Sequence, residues 1–199
     1  MQYEKYKANV TLLSDFYSVS GDEDLCATFT GLFESPNKDV ESFLKTKAVQ
    51  SAKLYTSSTY LVYALEKTVD LLGYFTLAIK TLTIKRNDLT TKMQERLIKR
   101  FGSLDPDSAS YKLPAILIAQ FGRNFSKDSI SINGAELMNF ALEHIYKIFA
   151  LSSGKTVFLE CERKEKLIRF YEECGFFMLN NSIYSKDKKE LIQMFRFIN

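Results

Sequence analysis

The sequence has little of the chemistry that metal sites and disulfide-linked proteins need. It contains a single histidine, His144, and three cysteines, Cys26, Cys161 and Cys174, with no Cys-x-x-Cys spacing. An odd number of cysteines without that spacing favours reduced thiols over a disulfide framework or a zinc site. One histidine excludes a multi-histidine metal site, and its place within a helical pattern argues against a histidine-dependent triad. We therefore expect no metal, a structural or solvent-facing His144, and cysteines that pack rather than react.

The chain also lacks tryptophan and long apolar runs. No stretch approaches the roughly 20 apolar residues of a membrane-spanning helix, and the first ten residues lack a signal-peptide core. We therefore expect no membrane contact and a cytoplasmic location. Sixteen Phe and eleven Tyr among 199 residues argue against disorder and predict one globular domain over residues 1–199. The net charge of +3 permits a nucleic-acid partner without requiring one.

Hydrophobic periodicity predicts an α/β fold. Alternating and β-branched segments predict strands, and apolar residues at helical spacing predict helices. The apolar run at 112–124 is typical of a strand buried on both faces. The order of elements predicts a mixed, mostly antiparallel central sheet with helices on both faces. The predicted strands are 8–17, 57–65 paired with 71–84, 112–124, 155–162, 176–180 and 190–199, and the predicted helices are 35–55, 88–102, 133–154 and 163–175.

The junction between the strand at 112–124 and the helix at 133–154 is a candidate phosphate site. Unpaired N–H groups at a helix N-terminus carry partial positive charge and attract phosphate. Gly134 would let a ligand approach the backbone, and Ser129, Ser131 and Asn133 could add donors. An Asn-Gly pair before a helix is also typical of a plain turn, and neither a Walker loop nor a dinucleotide fingerprint is present.

Two segments together resemble the GNAT superfamily of acyl-CoA-dependent N-acetyltransferases. The first is LPAILIAQFGRN followed by NGAELM, and the second is LIRFYEECGF. The second matches the Phe-Tyr-x-x-x-Gly-Phe pattern that ends a late helix in that family, from Phe170 to Phe176. The resemblance implies the GNAT fold and acetyl-CoA as cosubstrate.

Segments of the first half are similar to the toxin branch of that family, which acetylates aminoacyl-tRNA. They are a helix beginning near Ser35-Pro36 and carrying Leu44, Ala48 and Gln50, a Ser-x-Thr-aromatic strand at 57–60, and the stretch GYFTLA at 73–78. This resemblance covers roughly residues 30–180. It implies an amine acceptor, with charged tRNA as one candidate, and an antitoxin protein as partner; a homodimer is compatible with it.

The family likeness also implies the residues that hold acetyl-CoA. The pantetheine arm would pair with the strand segment Phe121, Gly122 and Arg123, and the pyrophosphate would lie against the loop and first helical turn. This sequence departs from the family in having Ser129 where Arg or Gln is usual and Ile132 where the first glycine is usual. The loop and helix residues implied are Ser131, Ile132, Asn133, Gly134 and Ala135.

Tyr171 is the implied general acid. A phenol, with a pKa of about 10, is protonated at neutral pH and can donate a proton to the departing thiolate of CoA. The alternative is that Tyr171 only packs against Phe176, although a core site would accept Phe as readily. No dedicated base is evident, and Glu160 and Glu162 are weak candidates.

Three functions therefore stay open. The first is a toxin-like acetyltransferase acting on aminoacyl-tRNA, and the second is a GNAT enzyme acting on a small amine, a peptide or a protein N-terminus. The third, suggested by the altered loop, is a non-catalytic acyl-CoA-binding protein. A basic cluster bears on the first, because it could contact tRNA phosphates or be only a solvated helix face. The cluster consists of Lys85, Arg86, Lys92, Arg96, Lys99 and Arg100.

Overall fold

The structure is a computed structural model that describes residues 7–15, 23–65, 69–101, 109–126, 131–185 and 188–198. Its strands are β1 (Ala8–Leu12), β2 (Ser58–Leu65), β3 (Val69–Lys85), β4 (Ser110–Arg123), β5 (Thr156–Glu162), β6 (Phe177–Met178), β7 (Ile183–Tyr184) and β8 (Glu190–Phe197). Its helices are α1 (Glu23–Gly31), α2 (Lys38–Thr46), α3 (Ala48–Lys53), α4 (Thr91–Phe101), α5 (Gly134–Ser152) and α6 (Glu165–Glu173), with a 3-10 turn at Arg86–Asp88.

The chain divides into two compact units. The first comprises residues 1–78 and 118–144, and the second comprises residues 79–117 and 145–199. The long strands β3 and β4 contribute to both. Strand order is β1-β2-β3-β4 in the first unit and β3-β4-β5-β8-β6 in the second, where β7 also pairs with β8. Antiparallel pairing joins β1 to β2, β2 to β3, and β8 to β5, β6 and β7. The α/β fold with a mixed sheet is thus confirmed.

In the first unit, helices pack on both faces of the sheet. Side chains of successive strand residues point to opposite faces. A Cβ built on Gly73 would meet the Leu137 side chain of α5 at 3.1 Å. On the other face, the Tyr74 hydroxyl donates to the Val40 carbonyl of α2 at 2.5 Å, and its ring contacts Phe33 edge-on. Alternation along β3 therefore places α5 on one face and α2 on the other, as the sequence predicts.

The second unit has its own apolar core. Residues from β3, β4, β5 and β8 pack together, and α4 adds Leu97 to them. Burial of this set removes apolar surface from water, which is the main favourable term in folding. The buried members are Leu82, Ile84, Leu97, Tyr111, Leu113, Ala115, Phe158, Leu179 and Phe195.

Some predicted element boundaries are wrong. The strand predicted at 8–17 ends at Leu12, because residues 13–15 are helical and insert Leu13 into the core; residues 16 and 17 lie outside the described part. The single helix at 35–55 is two helices that meet at Lys47. Only Phe177–Met178 of the segment 176–180 forms a strand.

Two elements were not predicted, and one prediction about burial needs correction. Helix α1 and strand β7 had no prediction at all. The strand at 112–124 is not buried along its whole length: its first half alternates between exposed and buried residues, and 119–123 are half-buried. That half-buried end leaves β4 backbone near the surface.

Candidate active site

The end of β4 is fixed by one buried side chain, Asn124. Its amide oxygen accepts the backbone N–H groups of Glu34 at 2.9 Å and Ser126 at 3.1 Å. Its amide nitrogen donates to the carbonyls of Leu71 at 2.8 Å and Leu32 at 3.4 Å. Asn124 therefore ties the α1–α2 loop and β3 to the point where β4 ends. No local sequence pattern marks Asn124 for this role, because its partners Glu34 and Leu71 are distant along the chain.

Arg123 links the end of β4 to the loop before α5. Its guanidinium donates to the carbonyl of Ile132 at 3.0 Å and lies 4.7 Å from the centroid of the Phe125 ring. Ile132, which stands where the resembled family has a glycine, has only 1% of its surface exposed. Its bulk is therefore directed into the protein interior rather than outward, where a ligand would approach.

Helix α5 begins with a reciprocal capping box. The Asn133 side-chain oxygen accepts the N–H of Glu136 at 2.8 Å, and the Glu136 carboxylate accepts the N–H of Asn133 at 3.0 Å. This arrangement satisfies two orphan donors of the helix end. Gly134 and Ala135, the first two residues of α5, lie between these capping partners. The Asn-x-x-Glu spacing is itself a helix-start signal, so Glu136 could have been found from the sequence.

The capping box also places a negative charge at the predicted phosphate site. Glu136 is exposed at the N-terminus of α5, where its carboxylate favours the helix dipole. The same carboxylate would repel a pyrophosphate bound to the neighbouring N–H groups. The backbone N–H of Asn133 is already bonded to this carboxylate, so the side-chain amide nitrogen is the donor that Asn133 could offer to a ligand.

Gly122 has a packing role on the α2 face of the sheet. A Cβ at this position would come within 2.6 Å of Val40 Cγ1 and 3.1 Å of the Phe33 ring. Its lack of a side chain therefore lets α2 and the preceding loop approach β4. Phe121 and Arg123, its neighbours, point to the opposite face by strand alternation.

Tyr171 lies in the last turn of α6 in the second unit, with 9% of its surface exposed. Its ring contacts Phe170 at 5.0 Å and Phe176 at 6.1 Å between centroids, both edge-on. Its hydroxyl makes no hydrogen bond to any residue that the structure describes. Burial, with smaller contributions from the charges of Cys161 and Cys174, raises the pKa of the phenol well above its ordinary value. The phenol therefore stays protonated throughout the physiological range.

The backbone after Tyr171 is held by a glycine and an arginine. Gly175 adopts φ +81°, in the left-handed region that closes helices, and its N–H donates to the Glu172 carbonyl at 2.8 Å. The Arg196 guanidinium of β8 donates to the Cys174 carbonyl at 2.6 Å. The chain then turns so that the Phe176 N–H reaches the Tyr171 carbonyl at 3.0 Å. Arg196 is another residue without a local sequence signal.

The thiols near Tyr171 have little nucleophilic character. Burial raises the pKa of Cys161 to about 11, with a smaller effect from the charge of Glu162. Burial also raises the pKa of Cys174, although Arg196 partly opposes this. A thiol, unlike a thiolate, is a poor nucleophile. His144 lies elsewhere, on α5, where its ring packs on Tyr60 and Phe75.

The basic cluster lies on the second unit. Lys92, Arg96 and Lys99 fall on one face of α4, since residues spaced by four and three share a helix face. All three are exposed and form no ion pair with any described residue. The Arg86 side chain instead bonds to Gln94 at 3.3 Å, and the side chain of Arg100 lies outside the described set. The face is thus open to an anionic partner.

The predicted site residues fall in both units. The first unit contains Phe121, Gly122 and Arg123, which the Arg123–Ile132 bond joins to residues 131–135, while the second contains Tyr171. Ser129 lies outside the described residues. Among those described, no cluster of His, Cys, Asp and Glu could hold a metal ion, and no helix is long and apolar enough to span a membrane.

Comparison with family models and with curated proteins gave no match. Solved structures do match. AtaT complexed with acetyl-methionyl-tRNAfMet aligns with a TM-score of 0.62 and 19% identity over 94% of both chains. A tyrosine-to-phenylalanine mutant of KacT aligns with a TM-score of 0.63 and 16% identity, also over 94% of both chains.

A third match is a tyrosine-to-phenylalanine mutant of the AtaT toxin, bound to acetyl-CoA and to the C-terminus of the antitoxin AtaR. It has a TM-score of 0.58 and 16% identity over 96% of this chain and 92% of that one. At these identities the likeness shows the fold alone. This chain therefore has the GNAT fold, in common with the toxins AtaT and KacT.

Proposed function

We propose that this protein is an N-acetyltransferase that moves an acetyl group from acetyl-CoA to the α-amine of an aminoacyl-tRNA. The observation that carries the proposal is the match, over 94% of both chains, to AtaT complexed with acetyl-methionyl-tRNAfMet. The match to AtaT bound to acetyl-CoA supports the same cosubstrate here. A charged-tRNA substrate would place the activity in the cytoplasm.

The reaction asks for few protein groups. The neutral amine attacks the thioester carbonyl, a C–N bond forms, and an oxyanion develops on the carbonyl oxygen. Collapse of this intermediate breaks the C–S bond, and the amine proton is lost to solvent. An α-amino ester has a low amine pKa, so solvent can serve as the base. The half-buried end of β4 could supply a backbone N–H to the oxyanion, and positioning would supply most of the remaining acceleration.

We assign Tyr171 as the group that protonates the leaving thiolate. Its phenol is protonated at neutral pH, and its hydroxyl has no partner among the described residues that would hold its proton. Because its pKa is raised by burial, it is a weaker acid than a free phenol. Complete transfer to a free thiolate would be uphill, so the proton moves as the C–S bond breaks. The phenolate is then reprotonated by solvent.

Acetyl-CoA would be held by backbone groups. Phe121, Gly122 and Arg123 form the half-buried end of β4, where the pantetheine amides could pair with the strand. The N–H groups of Gly134 and Ala135, which open α5, would face the pyrophosphate, whereas the Asn133 N–H is bonded to the Glu136 carboxylate. Ile132 does not obstruct this approach, since its side chain is buried.

The open basic face of α4 fits an RNA partner. Reversing Lys92, Arg96 and Lys99 to Glu should weaken tRNA binding and flatten its salt dependence, because three phosphate contacts are lost. The measurement is the tRNA Kd at several salt concentrations. A variant with Lys80, Lys147 and Lys166 reversed is the control, because it makes an equal change of net charge at exposed positions of other elements. Equal affinities and salt slopes in both variants would show that the α4 face is only a solvated surface and does not bind tRNA.

An antitoxin partner belongs to the same proposal, since one matched AtaT structure is bound to the C-terminus of AtaR. The homodimer and the single functional domain over residues 1–199 stay predictions. A small protein encoded beside this chain should bind it and suppress its activity if the toxin reading is right.

The direct test uses charged tRNA and acetyl-CoA. After incubation and nuclease digestion, mass spectrometry should find N-acetylaminoacyl-adenosine, and uncharged tRNA should give no acetylated product. Acetylation of small amines or peptides, with charged tRNA left unmodified, would favour the second enzyme reading instead. Turnover of none of these acceptors would contradict the enzyme assignment.

A non-catalytic acyl-CoA-binding protein is a second candidate, favoured by the altered loop, which has Ile132 where the resembled family has its first glycine. Binding without turnover would support this candidate. Calorimetry with CoA, run beside the tRNA assay, separates the two.

A further inference from the structure

An exposed aromatic ring lies directly beside the predicted cofactor strand. Phe125 follows β4 by two residues and has 48% of its surface exposed. The guanidinium carbon of Arg123 lies 4.7 Å from the centroid of its ring. A single exposed aromatic side chain is ordinary on a protein surface. A ring stacked with an arginine on a rigid support is a more specific arrangement.

The support under this pair is rigid. The Phe125 N–H donates to the Glu34 carbonyl at 2.9 Å, and Asn124, next to it, makes four side-chain hydrogen bonds to neighbouring backbone. Arg123 is held from the other side by its bond to the Ile132 carbonyl. The backbone that carries the ring, and the guanidinium beside it, are therefore held before any ligand binds, which lowers the entropy lost on binding.

We propose that Phe125 and Arg123 form a stacking platform for an adenine base. Aromatic rings and arginine planes are the surfaces on which proteins stack unpaired bases. The positive guanidinium also attracts the phosphates that accompany a nucleotide. The inference rests on the proposed function only for the identity of the base, because both proposed substrates carry an adenosine: CoA in its nucleotide, and tRNA at its 3′ end.

Binding of adenosine monophosphate tests the platform without any need for turnover. Phe125→Leu keeps an apolar side chain but removes the ring, so Kd should rise about five- to 100-fold, the range typical of losing one base stack. Phe125→Trp should retain or improve binding. Tyr184→Leu, which removes another exposed ring, on β7, is the matched control and should leave Kd unchanged.

Two further binding experiments identify the source of the base. If the base belongs to CoA, Phe125→Leu should weaken CoA binding and leave pantetheine binding unchanged. If it belongs to tRNA, the variant should weaken binding of intact uncharged tRNA but not of tRNA trimmed of its 3′-terminal adenosine. Either result supports the platform. The proposal is overturned if wild type does not bind adenosine monophosphate, or if Phe125→Leu binds adenosine monophosphate, CoA and intact tRNA as wild type does.

These measurements also separate this inference from the proposed function. If the protein binds adenine through Phe125 but acetylates nothing, the platform is supported and the enzyme assignment is contradicted. A protein that acetylates charged tRNA equally well with and without the Phe125 ring, and with unchanged affinities, would keep the enzyme and lose the platform.

Discussion

The β4–α5 junction and the end of α6 hold their backbones by different means. At the end of α6, one glycine with positive φ closes the helix, and Arg196 donates to the last carbonyl. At the β4–α5 junction, side chains do the same work: Asn124 ties three segments, and Asn133 and Glu136 cap the helix. The end of α6 is specified mainly by backbone conformation, and the β4–α5 junction is specified by a network of side chains.

This difference determines how well a sequence motif predicts the local backbone structure in each region. A left-handed residue after a helix is glycine in most cases, so Gly175 in the sequence is enough to predict the backbone conformation there. A side-chain network can be built from many residue types, so the start of α5 can be held without the glycine that the resembled family has at position 132. The buried Ile132 side chain and the bond from Arg123 to the Ile132 carbonyl hold residues 131–133 instead.

Gly134→Glu should have the largest effect on ligand binding. It adds bulk and a negative charge at the first residue of α5, against the pyrophosphate. A like charge at about 4 Å costs roughly 1–4 kcal/mol, so CoA affinity should fall about tenfold to 1000-fold by calorimetry. Gly134→Gln, with equal bulk and no charge, should lose less. Equal CoA binding by wild type and Gly134→Glu would show that the pyrophosphate does not bind at this junction.

Asn124→Ala should have the largest effect on stability. It leaves the Glu34 N–H and the Leu71 carbonyl without their partner, and unpaired buried groups cost about 1–3 kcal/mol each. We expect a loss of about 2–4 kcal/mol in the free energy of unfolding, measured with denaturant. Asn139→Ala, at an exposed position of α5, is the control. Similar small losses in both variants would contradict the role of Asn124 as a hub.

Gly175→Ala tests the other region. A non-glycine residue in the left-handed region costs about 1–2 kcal/mol, while the added Cβ would meet Arg196 only at 3.4 Å, an ordinary contact. The melting temperature should therefore fall, with CoA affinity unchanged. Gly31→Ala is the control, since no atom lies within 4 Å of its added Cβ. No loss of stability for Gly175→Ala would show that α6 can end without glycine.

Glu136→Gln should have the smallest effect, and its two consequences differ in sign. The amide oxygen can still accept the Asn133 N–H, but the charge near the pyrophosphate is gone. CoA affinity should rise about two- to fivefold, while helix stability falls by about 0.3–1 kcal/mol as the favourable dipole interaction is lost. Calorimetry and thermal melting measure the two separately. Unchanged CoA affinity would indicate that the carboxylate lies outside the field of the ligand.

The sequence was sufficient to predict most of the architecture. Helices α4, α5 and α6 follow from apolar residues at helical spacing, and strands β2 and β3 follow from runs of β-branched and aromatic residues. Strand β4 follows from a nearly continuous apolar run. It was not sufficient for α1, whose moderate amphipathicity is a weak signal, or for the two-residue strands, which depend on pairing with β8. The Asn-x-x-Glu cap could be predicted from the sequence. The roles of Asn124 and Arg196 could not, because their partners are far away in sequence.

The measurement that tests the account most directly is the turnover of Tyr171→Phe with charged tRNA, beside its melting curve. The substitution removes one oxygen from a phenol that bonds to no described residue, so stability should change by less than about 1 kcal/mol. General-acid catalysis contributes about 10²–10⁴-fold, so kcat should fall by that order while CoA affinity stays near that of wild type. Phe170→Leu, which removes a neighbouring ring, should lower stability more than turnover. Full activity in a well-folded Tyr171→Phe protein would contradict the assignment of Tyr171 as the acid.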